Sequence, residues 1–162
     1  MNKRKIPFLY KIGLCVIVGL IFGNLLKSYV FYTSYVIGSS MQPTFYDGDI
    51  VGISKIAKPH RGDVVIARVE GKDLIKRCIG VPGDTIQIVE GVLYLNGEEY
   101  IENYIKDSDT AYYSGIASEE VELGIDEYFI LGDNRTISKD SREFGTVKRK
   151  QIIGVVTCSI SE

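Results

Sequence analysis

The chain changes its hydrophobic rhythm once, near residue 35. From Phe8 to Tyr32 apolar side chains dominate, interrupted mainly by Lys11, Asn24, Lys27 and Ser28. As a helix this stretch would span about 37 Å, more than the roughly 30 Å of a bilayer core; its strictest part, Ile12 to Leu26, would span only about 22 Å. Lys11 and Lys27 could then snorkel to the two interfaces, with Tyr10, Tyr29, Phe31, Tyr32 and Tyr35 as an aromatic belt. Lys3, Arg4 and Lys5 precede the run, so the pattern predicts a single-pass anchor with its amino terminus in the cytoplasm and the remainder extracytoplasmic. A cleavable leader would share the basic start and apolar middle, but the following Leu25-Leu26-Lys27-Ser28-Tyr29 is bulky and charged rather than A-x-A-like. A buried core helix would not carry basic residues at one end and aromatics at the other. The expected division is residues 1–35, basic terminus plus anchor, and 36–162, an outer domain.

Beyond Val36 the apolar runs are short and punctuated by Gly, Pro, Asp and Asn. Strands are expected at Asp49–Ser54, Asp63–Val69, Asp73–Ile79, Thr85–Val89, Val92–Leu95, Glu120–Leu123, Tyr128–Leu131 and Ile152–Ile160. Glu90-Gly91 and Asn96-Gly97 are hairpin turns by composition, with Tyr100–Tyr104 the expected return strand of the second. Lys106–Ser118 is small and polar and reads as a surface loop. With no long amphipathic helix in this part, the fold class is mostly β, an all-β domain behind one amino-terminal helix.

Composition narrows the chemistry. The net charge is −2, and Lys and Arg are interspersed with acids rather than gathered in a stripe, so nucleic acid is not an expected partner. Three widely spaced cysteines, Cys15, Cys78 and Cys158, form no disulfide framework, and whether Cys78 and Cys158 pair is open at this level. One histidine and no C-x-x-C argue against a metal site.

Three segments bring reactive groups to loop–strand junctions. In Gly38-Ser39-Ser40-Met41-Gln42-Pro43-Thr44, Ser40 sits between a permissive glycine and a stiffening proline. That is either an ordinary turn or a presented nucleophile, which would need a base within hydrogen-bond reach. In the second segment, Leu74 to Asp84, Leu74, Lys76 and Cys78 would share one strand face. A lysine there is either solvent-facing with Arg77 turned inward, or buried and thereby easier to deprotonate. The third, Gly132 to Arg142, crowds two acids, two arginines, an amide and three hydroxyls into one loop. Its acids lack EF-hand alternation, and a hydrogen-bonded ion-pair scaffold fits better.

Together the segments resemble the type I signal peptidase (leader peptidase) family. S-M-x-P-T, R-G-D-V (Arg61 to Val64), K-R-x-x-G-x-P-G-D and G-D-N-R-x-x-S-x-D-S-R follow the anchor in that family's order. The resemblance implies a Ser/Lys endopeptidase that cuts signal peptides from exported preproteins after small residues, at the membrane and without a cofactor. It implies Ser40 as nucleophile, Lys76 as general base and Ser138 as the hydroxyl orienting that base. Arg77, Asp133, Asp140 and Arg142 become the charged scaffold. Met41 and Ile75, joined by spacing by Val36 and Phe45, become the pocket for small side chains. Where some members carry a hydroxyl for the oxyanion hole this chain has Gly38, as in Gram-positive-like members, leaving the Ser40 amide and other backbone groups such as Gly38. The chain lacks the large insertions of longer members and reads as a minimal core.

Some relatives use histidine in place of the lysine, but His60 lies in Lys58-Pro59-His60-Arg61-Gly62-Asp63, a turn signal away from that position. Self-cleaving repressors share the Ser/Lys chemistry, yet no helix-turn-helix pattern is visible. The remaining alternative is a catalytically silent, membrane-anchored β-domain that binds a partner.

Overall fold

A computed structural model describes residues 8–105 and 113–160 and, within the first helix, the side chains of residues 10–23 and Val30. In chain order the elements are helix α1 (Phe8–Val30), strands β1 (Phe31–Tyr35), β2 (Ile50–Ser54), β3 (Val64–Val69), β4 (Lys72–Gly80), β5 (Thr85–Val89), β6 (Val92–Leu95), β7 (Glu98–Glu99), β8 (Val121–Glu122) and β9 (Glu127–Leu131), the short helix α2 (Ser141–Phe144), and strands β10 (Val147–Lys148) and β11 (Ile152–Ile160).

Two antiparallel sheets result. The larger has seven strands in the order β1-β2-β11-β3-β4-β9-β10, the smaller four in the order β7-β6-β5-β8. The hairpins follow from local chemistry. Glu70-Gly71, Glu90-Gly91 and Asn96-Gly97 all hold positive φ at both central positions, the conformation that matches the twist of adjoining strands. Alternation then sets the faces: along β5, Ile86 and Ile88 are buried while Val89 is exposed. Ile79, Phe129 and Leu131 of the large sheet pack with Ile86, Ile88, Leu93 and Leu95 of the small one. A second core, containing Val51, Ile53, Val64, Ile66 and Ile75, lies under the start of the outer domain.

The mostly β class matches the expectation, and four details depart from it. The large sheet begins at Phe31, not at Val36, because Phe31–Tyr35 pairs residue for residue with Ser54–Ile50; side chains read as a membrane belt are also a strand. The return strand after Asn96-Gly97 is only Glu98–Glu99, and residues 100–105 leave the sheet. β10 and α2, two and four residues long, are too short to produce a periodic signal. Of the expected loop, residues 106–112 lie outside the described residues, and Gly115–Ser118 forms a 3-10 turn.

Among the described residues no helix is long and apolar enough to cross a membrane. The expected spanning helix is therefore not established by them, and Lys3, Arg4 and Lys5 lie outside them. What the described part of α1 displays is an apolar surface on all sides: Val16, Ile17 and Val18 are each 56% exposed, and Leu20 and Phe22 more so.

Candidate active site

Residues 36–49 form a closed loop between β1 and β2. Val36 N–H donates to Asp49 O and Gly48 N–H to Val36 O, at 2.8 and 2.9 Å. Inside it Gly38 takes φ +86°, which a side chain would resist, and its N–H donates to Asp47 Oδ1 at 2.6 Å. This turn presents Ser40 beside β4. The Gly38 amide is thereby occupied, which removes it from the expected oxyanion donors and leaves the Ser40 N–H as the amide on which that reading rests.

Lys76 reaches the same point from the middle of β4, opposite Val65 of β3. It is 3% exposed, and its Nζ donates to Ser40 Oγ at 2.7 Å and to the Ile75 carbonyl at 2.8 Å. Burial pushes the ammonium down to about 8, against the opposing pull of Asp140 and Asp133. A primary amine in that range is partly neutral near physiological pH, and a neutral amine can take a hydroxyl proton. The strand-face question left open by the sequence is thus settled for an inward Lys76.

The charged residues behind the pair form two separate ion pairs. Because Arg77 pairs with Leu131 across β4 and β9, Asp133 emerges beside it. Arg77 Nε and Nη2 donate to Asp133 Oδ1 and Oδ2 at 2.8 and 2.6 Å, Nη1 to Gly62 O at 2.8 Å, and Thr44 Oγ1 donates to Asp133 Oδ2 at 2.5 Å. Asp140 caps α2 and accepts from Arg142 Nε and Nη2, both at 2.9 Å, and from the Gly132 N–H at 3.0 Å. Asp133, Asp140 and Arg142 are all at most 2% exposed. Removing one partner of such a pair strands a buried charge at a cost of about 3–5 kcal/mol. The R-G-D-V element touches the scaffold through Gly62 O, which accepts from Arg77, and it meets another motif where Arg61 Nη2 donates to Asp84 Oδ1 at 2.6 Å. His60 is exposed and its N–H donates to Asp63 Oδ2 within the turn.

At two further expected site residues or groups of residues the contacts differ from those expected. Ser138 Oγ is buried but has no hydrogen-bond partner, so the expected bond to Lys76 is not formed. It stands next to the nucleophile segment all the same: a β-carbon added at Gly132 would meet both Ser138 Cβ, at 2.5 Å, and Ser40 O, at 2.6 Å. The four expected pocket residues, Val36, Met41, Phe45 and Ile75, share one core, yet only Ile75 lines the cavity of about 210 Å³ beside the dyad. Met41 is fully buried, and Phe45 borders a different groove. The cavity walls are Ser34, Tyr35 and Ile37 on one side and Asp73 to Lys76 on the other, with Val51 and Ile66 also lining it. Sequence spacing could not find these residues, since they come together only through the strand order. Cys78 and Cys158 are free thiols, the first buried and the second exposed. Among the described residues no group of three or more His, Cys, Asp or Glu side chains could hold a metal ion.

Residues 9–160 match the family model described as signal peptidase, peptidase S26. The chain belongs to this family. It is a serine endopeptidase by that membership. Signal peptidase I U of Bacillus subtilis (strain 168) is 37% identical over 165 residues, covering 94% of this chain and 87% of that protein. Signal peptidase I of Streptococcus pneumoniae serotype 4 is 36% identical, covering 95% and 93%. A crystal structure of a signal peptidase I from Enterococcus faecalis V583 superimposes with a TM-score of 0.55 at 32% identity, covering 63% of this chain and 99% of that one. The S26 match thus extends over the amino-terminal helix and both sheets, not the Ser40 and Lys76 segments alone.

Proposed function

We propose that this S26 peptidase removes signal peptides from exported preproteins, with Ser40 as nucleophile and Lys76 as general base. The observation that carries the reading is the 2.7 Å contact between Lys76 Nζ and Ser40 Oγ, made by a lysine that burial brings down to about 8. In the productive state Lys76 is neutral and accepts the Ser40 proton as Oγ bonds to the scissile carbonyl carbon. The resulting oxyanion faces the Ser40 N–H. The protonated amine then returns its proton to the departing amine, leaving an ester on Ser40. Water, deprotonated by the same lysine, releases the acid and restores the hydroxyl.

The substrate lies extended along β4. β9 pairs with β4 only from Arg77 onward, so the Asp73–Lys76 side of the strand offers backbone groups for strand addition. Ile75, Ile66 and Val51 receive a small side chain at the residue before the cut. The reading also includes a membrane anchor in residues 1–35 and an extracytoplasmic body, with the bilayer as the second partner. Support comes from the exposed apolar side chains of residues 12–22 on α1, which water does not solvate well, and from the helix's direct continuation into β1.

The test is cleavage of a generic preprotein by purified wild type, Ser40→Ala and Lys76→Arg. Both variants should be inactive while folded, because the hydroxyl and its base act as a unit and a guanidinium gives up no proton near neutral pH. Turnover by either would remove the dyad. A wild type with no turnover and no labelling by an acylating inhibitor would favour a silent binding domain. For the anchor, protease added to spheroplasts should reach residues beyond Ser34 but not the basic terminus; the reverse pattern would invert the topology.

A further inference from the structure

One segment outside the dyad touches both arms of the site. Residues Glu102 to Tyr104 follow β7, after the chain has left the small sheet. The Glu102 carboxylate, 6% exposed, accepts both terminal nitrogens of Arg135: Nη1 donates to Oε2 at 2.7 Å and Nη2 to Oε1. The remaining Arg135 donor, Nε, bonds the Gly132 carbonyl at 2.9 Å. Gly132 is the residue at which an added β-carbon would run into Ser40 O and Ser138. Tyr104 OH donates to Glu102 Oε1 at 2.5 Å, and the Tyr104 ring lies 4.0 Å from the Arg77 guanidinium centre. Burial, then the Glu102 carboxylate, push the Tyr104 phenol well up, so it remains a donor. Arg77 is the neighbour of Lys76 along β4.

We infer that Glu102 and Tyr104 are positioning residues for the Ser40–Lys76 dyad. Glu102 sets the Gly132 peptide through Arg135, and Tyr104 sets the Lys76–Arg77 stretch from beneath. This rests on the dyad reading above and adds to it a part of the chain that no motif marks. The contacts are not interchangeable with core packing. The bidentate geometry fixes the plane of the Arg135 guanidinium, and the stacked ring fixes that of Arg77. The first plane ends on the Gly132 peptide, which lies against the Ser40 carbonyl, and the second belongs to the residue that follows Lys76 on β4. Loosening either would leave substrate binding at the cavity in place and misplace the hydroxyl or the amine.

The experiment compares purified wild type, Ser40→Ala, Glu102→Ala, Glu102→Gln, Tyr104→Phe and Tyr104→Leu on one peptide substrate. Competent sites are counted by a covalent acylating inhibitor, so that kcat is expressed per counted site. Glu102→Ala should lower kcat about 10–100-fold with KM within about threefold, the signature of misplaced groups rather than lost binding. Glu102→Gln, which keeps one acceptor, should fall between, and Tyr104→Phe, which keeps the ring, should stay within about threefold while Tyr104→Leu loses about tenfold. If Glu102→Ala does not fold, Glu102→Gln and the tyrosine pair carry the comparison. Wild-type kcat per counted site in Glu102→Gln and Tyr104→Leu would overturn the inference, even if fewer sites were countable, since that is a purely structural role. Activity in Ser40→Ala would instead bring down the dyad reading itself, a distinct result.

Discussion

The Lys76 amine and the Ser40 hydroxyl stand 2.7 Å apart although 36 positions separate them in the chain. The amine is also tethered to the Ile75 carbonyl, so its position is fixed from two directions. Burial is the main cause that brings it down to about 8. A base must be neutral to act, so kcat/KM should climb about tenfold per pH unit up to about 8 and then level. At pH 6 the rate should be about one hundredth of the plateau. A peptide assay from pH 6 to 9.5 measures this, and a flat profile would show that Lys76 is not the titrating base.

The same burial has a consequence for stability. The folded-state value of about 8 lies below the ordinary 10.5, so between those limits the unfolded chain binds more protons than the native one. Native stability should therefore rise with pH across that window, and the burial penalty should be complete below about 8, at about 3 kcal/mol. Lys76→Met removes the charge while keeping the length. It should be inactive yet melt higher than wild type at pH 6 to 7, with the advantage shrinking toward pH 10.5. A melting difference independent of pH would contradict this account.

Gly132 gives a prediction about backbone fit. A methyl there would lie 2.6 Å from the Ser40 carbonyl oxygen, and that carbonyl also accepts the Asn134 N–H at 3.1 Å. Backbone cannot swing aside as a long side chain can, so Gly132→Ala should displace the nucleophile peptide. A displacement near 1 Å costs about 100-fold in turnover, so kcat should fall by that order in a protein that still folds. Near-normal kcat in Gly132→Ala would show that the two segments can part at no cost.

What could be read from the sequence follows the reach of each signal. Glu90-Gly91 and Asn96-Gly97 announce their hairpins because two adjacent residues suffice to set the turn. Ser40 and Lys76 were nameable because their residue types sit in a recognisable motif order. β1 was hidden because Phe31–Tyr35 satisfies two patterns at once, an interfacial belt and an edge strand. Residues 100–104 read as a strand because they follow the Asn96-Gly97 turn. Tyr100 instead packs on the small-sheet core, and Glu102 is drawn away by Arg135, a partner 33 positions on. The cavity walls were least legible. Tyr35, Ile66 and Leu74 belong to three strands, and only the order of those strands makes them neighbours.

On the proposed reading, that cavity is expected to set which peptides are cut. It holds about 210 Å³ in all, shared along the groove, and Ile66 and Ile75, 7% and 9% exposed, close it beside the dyad. On that reading a methyl at the residue before the scissile bond would fit against them without disturbing their packing. A phenyl ring would overpack the same space at about 1–3 kcal/mol, and the strain would be relieved by lifting the scissile carbonyl away from Ser40 Oγ. The loss in kcat/KM from Ala to Phe should therefore exceed the packing cost, at about 100-fold or more. A peptide series varying only that residue measures the loss. Ile66→Ala tests where it arises, because the truncation enlarges the cavity without touching Ser40 or Lys76. The variant should be destabilised by about 2–5 kcal/mol, which a thermal melt reads separately. Its rate on the Ala peptide should stay close to normal while its rate on the Phe peptide rises, narrowing the ratio between them. Equal rates for Ala and Phe in wild type would rule out a size-limited pocket. An unchanged ratio in Ile66→Ala would move the limit away from this wall.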